Sequence, residues 1–188
     1  MVEKRKQALV AALKDASRKV RQTAAEALER IESTQGFESL VDELEGDDRG
    51  RRIRAIYGME KVNSERIFPR LLSQLKSEDD DARSAALHVL GKKAHTKTLG
   101  PVVKMLKDPS PAVRARAAEA VGNFSDRRLV SYLVTVLADE DDEVIRAAIR
   151  SLGFLGARDA EEPLIEMLQD RRPELRLEAA RALGKLEV

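Results

Sequence analysis

Cysteine and tryptophan are absent from this 188-residue chain, and aromatic residues make up only 3% of it. Without cysteine there is no disulfide, no thiolate zinc site and no cysteine nucleophile, and the chain suits a reducing compartment such as the cytoplasm. So few aromatics leave little for stacking nucleic-acid bases. No apolar run is long enough to span a bilayer. The basic start Met1-Val-Glu-Lys-Arg-Lys leads into an apolar run, Ala8–Leu13, too short for a secretory signal. The sequence holds no Gly-rich phosphate loop, no Gly-x-Ser-x-Gly elbow and no His-Glu-x-x-His motif. Charged residues are 36% of the chain, yet the net charge is only +1, which argues against a general attraction to nucleic acid or membrane.

What the chain does have is a period. A leucine returns every 31 residues, at Leu13, Leu44, Leu75, Leu106, Leu137 and Leu168. An alanine keeps the same step at Ala24, Ala55, Ala86, Ala117, Ala148 and Ala179, and Leu28, Met59, Leu90, Val121, Leu152 and Leu183 form a third row. Six copies of such a unit mark a stacked repeat protein in which each unit contacts its neighbours. Each unit reads as two helices. The first carries a stripe such as Leu133, Val134, Leu137; a polar turn follows; the second carries a stripe such as Val144, Ala148, Leu152, Leu155. The invariant alanine fits the closest approach of two helices, and Gly91, Gly122, Gly153 and Gly184 mark either helix ends or close packing. Prolines at Pro111 and Pro173 sit where a first helical turn needs no amide donor.

Repeat four reads Asp108-Pro-Ser-Pro-Ala-Val113-Arg114-Ala-Arg-Ala117-Ala118-Glu-Ala120-Val121-Gly122, and repeat six repeats the pattern from Asp170 to Gly184. This resembles the HEAT-like repeats of the phycobilisome-lyase type, over essentially the whole chain. The resemblance implies an all-α, right-handed α-solenoid of six helical hairpins forming one domain, 1–188, with repeats at about 1–33, 34–64, 65–95, 96–126, 127–157 and 158–188. Repeat two departs most: Arg51 replaces the usual valine, Gly58 falls mid-helix and Glu60 replaces the glycine. In repeat one, Arg5 and Lys6 take apolar positions and read as a polar cap. In repeat six, the Leu175, Ala179 and Leu183 face is expected to be partly open and to pair either with a second copy of the chain or with a continuation of the array.

An arginine follows the first apolar position of the second helix at Arg21, Arg52, Arg83, Arg114 and Arg176; Ile145 breaks the series. Asp15, Asp108 and Asp170 precede it by six residues, which suggests an Arg–Asp ladder within each turn or, alternatively, a row of anion-binding arginines. The acidic runs Glu78–Asp81 and Asp139–Glu143 lie where carboxylates cap free helix amides; they lack the alternation and central glycine of a calcium loop. His88 and His95 lack an evident third metal ligand. No catalytic residue, metal or cofactor is expected.

The exposed face of the second helices lines the concave groove in the family's architecture. Residues two and six after the first apolar position point there: Gln22/Glu26, Ile53/Tyr57, Ser84/His88, Ala115/Glu119, Arg146/Arg150 and Leu177/Arg181. A further row reads Arg30, Lys61, Lys92, Asn123, Phe154, Lys185. Ile53, Tyr57, His88, Glu119, Arg146, Arg150, Phe154 and Arg181 are the candidate partner-binding residues; Tyr57 and Phe154 are either anchors or core. The expectation is a non-catalytic, cytoplasmic protein-binding scaffold. The alternatives are a nucleic-acid-binding module using the basic residues and, from the resemblance alone, a bilin-lyase-like enzyme or subunit.

Overall fold

The computed structural model describes residues 1–186, and among them there is no strand. The chain is an all-α repeat solenoid whose helices group into two compact units that divide after Val62.

The first unit contains α1 (Val2–Ala12), α2 (Arg18–Glu45) and α3 (Arg49–Gly58), with a 3₁₀ turn at Met59–Lys61. Here the structure lacks the turn expected between repeats one and two. α2 is one helix of 28 residues, and it runs straight through the expected boundary between repeats one and two. The reason is the segment Glu32-Ser-Thr-Gln-Gly-Phe37, which contains no proline and no acidic turn. Gly36 alone costs about 1 kcal/mol, too little to break a helix already nucleated on both sides. Inside this unit Ala24, Leu28, Phe37, Leu44, Ala55, Ile56 and Met59 are buried, and α2 packs on both α1 and α3. Gly58 is not a defect in α3: a Cβ there would lie 2.6 Å from Leu40 Cδ2, so its absence admits the leucine of α2. α1 buries no side chain, in keeping with its Arg5 and Lys6.

The second unit contains four hairpins. They pair α4 (Ile67–Gln74) with α5 (Asp80–Lys93), α6 (Leu99–Lys104) with α7 (Pro111–Gly122), α8 (Val130–Val136) with α9 (Asp142–Leu155), and α10 (Glu161–Met167) with α11 (Pro173–Leu183). The second helices stack in order, α7 packing on α5 and on α9, and α9 on α11. The recurring alanine of these helices, Ala86, Ala117, Ala148 and Ala179, is buried, as are its counterparts Ala24 and Ala55 in the first unit. The glycine row explains how close the helices come. A Cβ on Gly91 would stand 2.8 Å from Ala120 Cα, and one on Gly153 would stand 2.7 Å from Ala182 Cα. Between them, Gly122 faces Ser151, whose Oγ donates to Ala118 O at 2.9 Å and so leaves no orphan hydroxyl. Gly184 meets no such neighbour among the described residues.

The turns are held by the arginine series, in a way the sequence reading had only half right. Each arginine donates to backbone carbonyls five or six residues earlier: Arg21 to Asp15 and Ala16, Arg52 to Gly46, Arg83 to Ser77 and Glu78, Arg114 to Asp108 and Pro109, Arg176 to Asp170 and Arg171. The carboxylate partner, however, comes from the following repeat. Arg83 makes a two-bond pair with Asp108, and Arg114 makes one with Asp139. The expected pairing inside one repeat is therefore corrected: Asp108 gives its carbonyl to Arg114 and its carboxylate to Arg83. The hydrogen bonds from Arg114 hold the Asp139 carboxyl below its usual range.

Where Ile145 breaks the series, Asp170 is left without an arginine from the preceding repeat. Arg172 takes that place: it binds Asp170 through Nε and Nη2 at 2.8 Å each and reaches back with Nη1 to Asp142 at 2.7 Å. The inter-repeat link is thus restored from the opposite side. The acidic runs do cap helices: Asp79 accepts from the amide of Asp81, and Asp141 accepts from those of Glu143 and Val144. The face of Leu175, Ala179 and Leu183 is less open than expected. Leu175 and Ala179 are buried and Leu183 is half-buried; the large hydrophobic residue that α11 exposes is Leu177. α11 packs on the hairpin's own first helix, α10, and on the preceding α9.

Candidate functional site

Four stacked second helices present one groove of about 710 Å³ in the second unit. Two register rows, each stepping by 31 residues, cross it. One is His88, Glu119, Arg150, Arg181; the other is Lys92, Asn123, Phe154, Lys185. The rows form because the alanine and glycine positions of each helix face the neighbouring helix, leaving the residues beside them on the open side.

The structure places the candidate residues as follows. His88, Glu119, Arg150, Phe154 and Arg181 all line this groove. Arg146 is on α9 one turn before Arg150 and lies beside the groove, with Nε 3.2 Å from Glu143 Oε2 but off the line for a hydrogen bond. Ile53 and Tyr57 belong to α3 in the first unit; Ile53 is half-buried and Tyr57 exposed. Of the wider face, Ala115 is buried, against expectation. Phe154 is decisive for the anchor-or-core alternative: it is 66% exposed, so it is not core.

Arg116, Glu178 and Ser151 line the groove although sequence reasoning missed them. Arg116 and Glu178 occupy the register position held by the buried Ala85 and Ala147 in neighbouring repeats. A long charged side chain at such a position extends its head into the groove. The charge itself was the available signal.

The groove is electrostatically ordered. Glu119 accepts from Arg116 at 2.6 Å and pairs with Arg150 at 3.5 Å; Arg150 also reaches Glu143 at 2.9 Å, and Arg181 pairs with Glu178 at 3.0 Å. Among the described residues that line the groove, five are cationic (Lys92, Arg116, Arg150, Arg181 and Lys185) and two are carboxylates (Glu119 and Glu178). The surface is therefore positive on balance, although the chain as a whole is almost neutral. The arginines are held by carboxylates, while Lys92 and Asn123 extend into the open groove as exposed side chains. His95 is elsewhere: α5 ends at Ala94 in the left-handed conformation, so His95 leaves the helix and lies against Phe68, 4.5 Å between ring centroids, and 3.5 Å from Glu65. The two histidines are not neighbours.

The comparisons with known proteins agree with this architecture. Residues 68–153 and 130–187 each match the family model of HEAT repeats. No curated protein matches the chain. Among solved structures, the fold is similar to the complex of CpcE and CpcF of phycocyanin lyase from Nostoc sp. PCC7120, with a TM-score of 0.67 at 20% identity, over 79% of this chain and 98% of that one. It is also similar to a designed armadillo repeat protein in complex with the peptide (KR)4, with a TM-score of 0.63 at 18% identity, over 95% of this chain and 98% of that one. In the Pds5–Scc1 complex the TM-score is 0.62 at 14% identity, over 91% of this chain but 33% of that one. Among the described residues no helix is long and apolar enough to cross a membrane. With a stacked-hairpin fold, a glycine–alanine ladder between repeats and family matches from residue 68 to 187, the chain belongs to the HEAT-repeat family.

Proposed function

We propose that this protein is a non-catalytic scaffold that holds a protein partner in the groove of α5, α7, α9 and α11. One observation carries the reading: Phe154 is 66% exposed in a groove whose other lining residues, apart from the small Gly122 and Ala182, are ion-paired or polar. A lone aromatic surrounded by ordered charges has the composition of a binding hot spot with a polar rim. The solved structures of similar fold support it in kind, since they include a complex of CpcE with CpcF, a repeat protein with a peptide and a Pds5–Scc1 complex. The absence of cysteine fits a cytoplasmic setting. Homodimerisation through the exposed Leu177 of α11 is a second, separate use of the surface.

The test is affinity capture from nuclease-treated source-cell lysate, with wild type beside an Arg146→Glu/Arg150→Glu/Arg181→Glu variant. A protein retained by wild type and lost by the variant supports the groove. Equal retention by both moves the partner off this face.

A further inference from the structure

We propose that the occupant of this groove is an extended acidic segment of about nine residues, with a carboxylate near each end and an apolar side chain between them. The proposal rests on the scaffold reading and adds the partner's chemistry. Its length follows from the register row that begins at Lys92 and ends at Lys185. Three repeat steps separate the two lysines. The close Gly91–Ala120, Gly122–Ser151 and Gly153–Ala182 contacts set the helices at the short end of the usual spacing, about 8 Å per step. The row therefore spans about 25 Å, which an extended chain covers in about eight residue steps at roughly 3.3 Å each.

The order of side chains along the row gives the rest. Lys92 and Lys185 present cations at the two ends, and each is placed to meet a carboxylate. Phe154 lies one step from Lys185 and two from Lys92, so the apolar contact falls about a third of the way in from the Lys185 end. Asn123, exposed at the remaining step, offers an amide that both donates and accepts, as an extended main chain requires. A helical occupant of the same span would need about seventeen residues, so the spacing of the two carboxylates distinguishes the conformations. A basic segment would meet lysines at both ends, like charge against like.

The experiment is selection from a displayed library of random peptides of about twelve residues, long enough for the nine-residue span. It is run against wild type, Lys92→Glu/Lys185→Glu and Phe154→Asp. All three positions are exposed, and thermal melting confirms that each variant remains folded. The expected result is enrichment of peptides with two acidic residues about eight apart and an apolar residue between. Their affinity falls by about tenfold or more in the charge-reversed variant, which selects basic ends instead. Enriched peptides that bind the lysine variant as well as wild type, yet are lost with Phe154→Asp, overturn the acidic segment and leave the groove scaffold standing. Peptides indifferent to both variants overturn the scaffold reading as well.

Discussion

Arg83 and Asp108, twenty-five residues apart, join successive repeats by two hydrogen bonds of 2.9 Å each, from Nε to Oδ2 and from Nη2 to Oδ1. Both side chains are nearly excluded from solvent, at 11% and 5% exposure. A buried charge left without its partner is costly, so Arg83→Met is expected to destabilise the fold by about 3 kcal/mol. The double variant Arg83→Met/Asp108→Leu should cost less than the two single changes added together. Arg21→Met, at an exposed position where the equivalent acceptor site is Gly46, should cost under about 1 kcal/mol. Urea unfolding of the four variants measures all of these, and strict additivity would deny the link.

The glycine ladder makes a prediction by contrast. Gly153→Ala would place its methyl 2.7 Å from Ala182 Cα, backbone that has little room to yield, and is expected to cost about 1–3 kcal/mol. Gly100→Ala meets nothing within 4 Å in the first turn of α6 and is expected to be neutral or to stabilise by up to about 1 kcal/mol. Melting temperatures of the pair decide it; equal losses would mean that the repeats are not in this contact.

Gly36 tests the long helix of the first unit. It lies inside α2 with no neighbour within 4 Å of a built Cβ. Gly36→Ala should stabilise the protein by about 0.5–1 kcal/mol through helix propensity alone. A loss of stability would place a turn where α2 is continuous.

Arg172 governs an acid limb of stability. Its side-chain hydrogen bonds first, and then its backbone amide, hold the Asp170 carboxyl at about 2. Because the folded value lies below the unfolded one of about 3.9, this stabilisation is complete above pH 4 or so. It is lost as pH falls through about 2. Arg172→Leu should return the Asp170 carboxyl towards its ordinary range in a carbon-detected NMR titration. Stability should then fall less steeply between those two pH values in the variant than in wild type.

Much of this was legible in the residues, and the failures have physical causes. The alanine, leucine and glycine rows could be read directly because packing repeats wherever the unit repeats. The acceptors of the arginines could not: Asp108 lies six residues before Arg114 and twenty-five after Arg83, and spacing alone does not choose between them. The turn expected between repeats one and two is missing because a period fixes equivalent positions, not the turn between them; α2 lacks the breaker that a turn needs. The groove emerged from the outward positions. Arg116 escaped because its register position is alanine in the neighbouring repeats.

The most direct test of the groove is site-specific crosslinking. A photoreactive benzoylphenylalanine is placed at Phe154 in one sample. In the other it replaces Tyr132, an aromatic of α8 that is 50% exposed but lies outside the groove. Both are irradiated in source-cell lysate. The account predicts a discrete protein adduct from position 154 that is missing from position 132. The same adduct from both positions, or one from 132 alone, would contradict it.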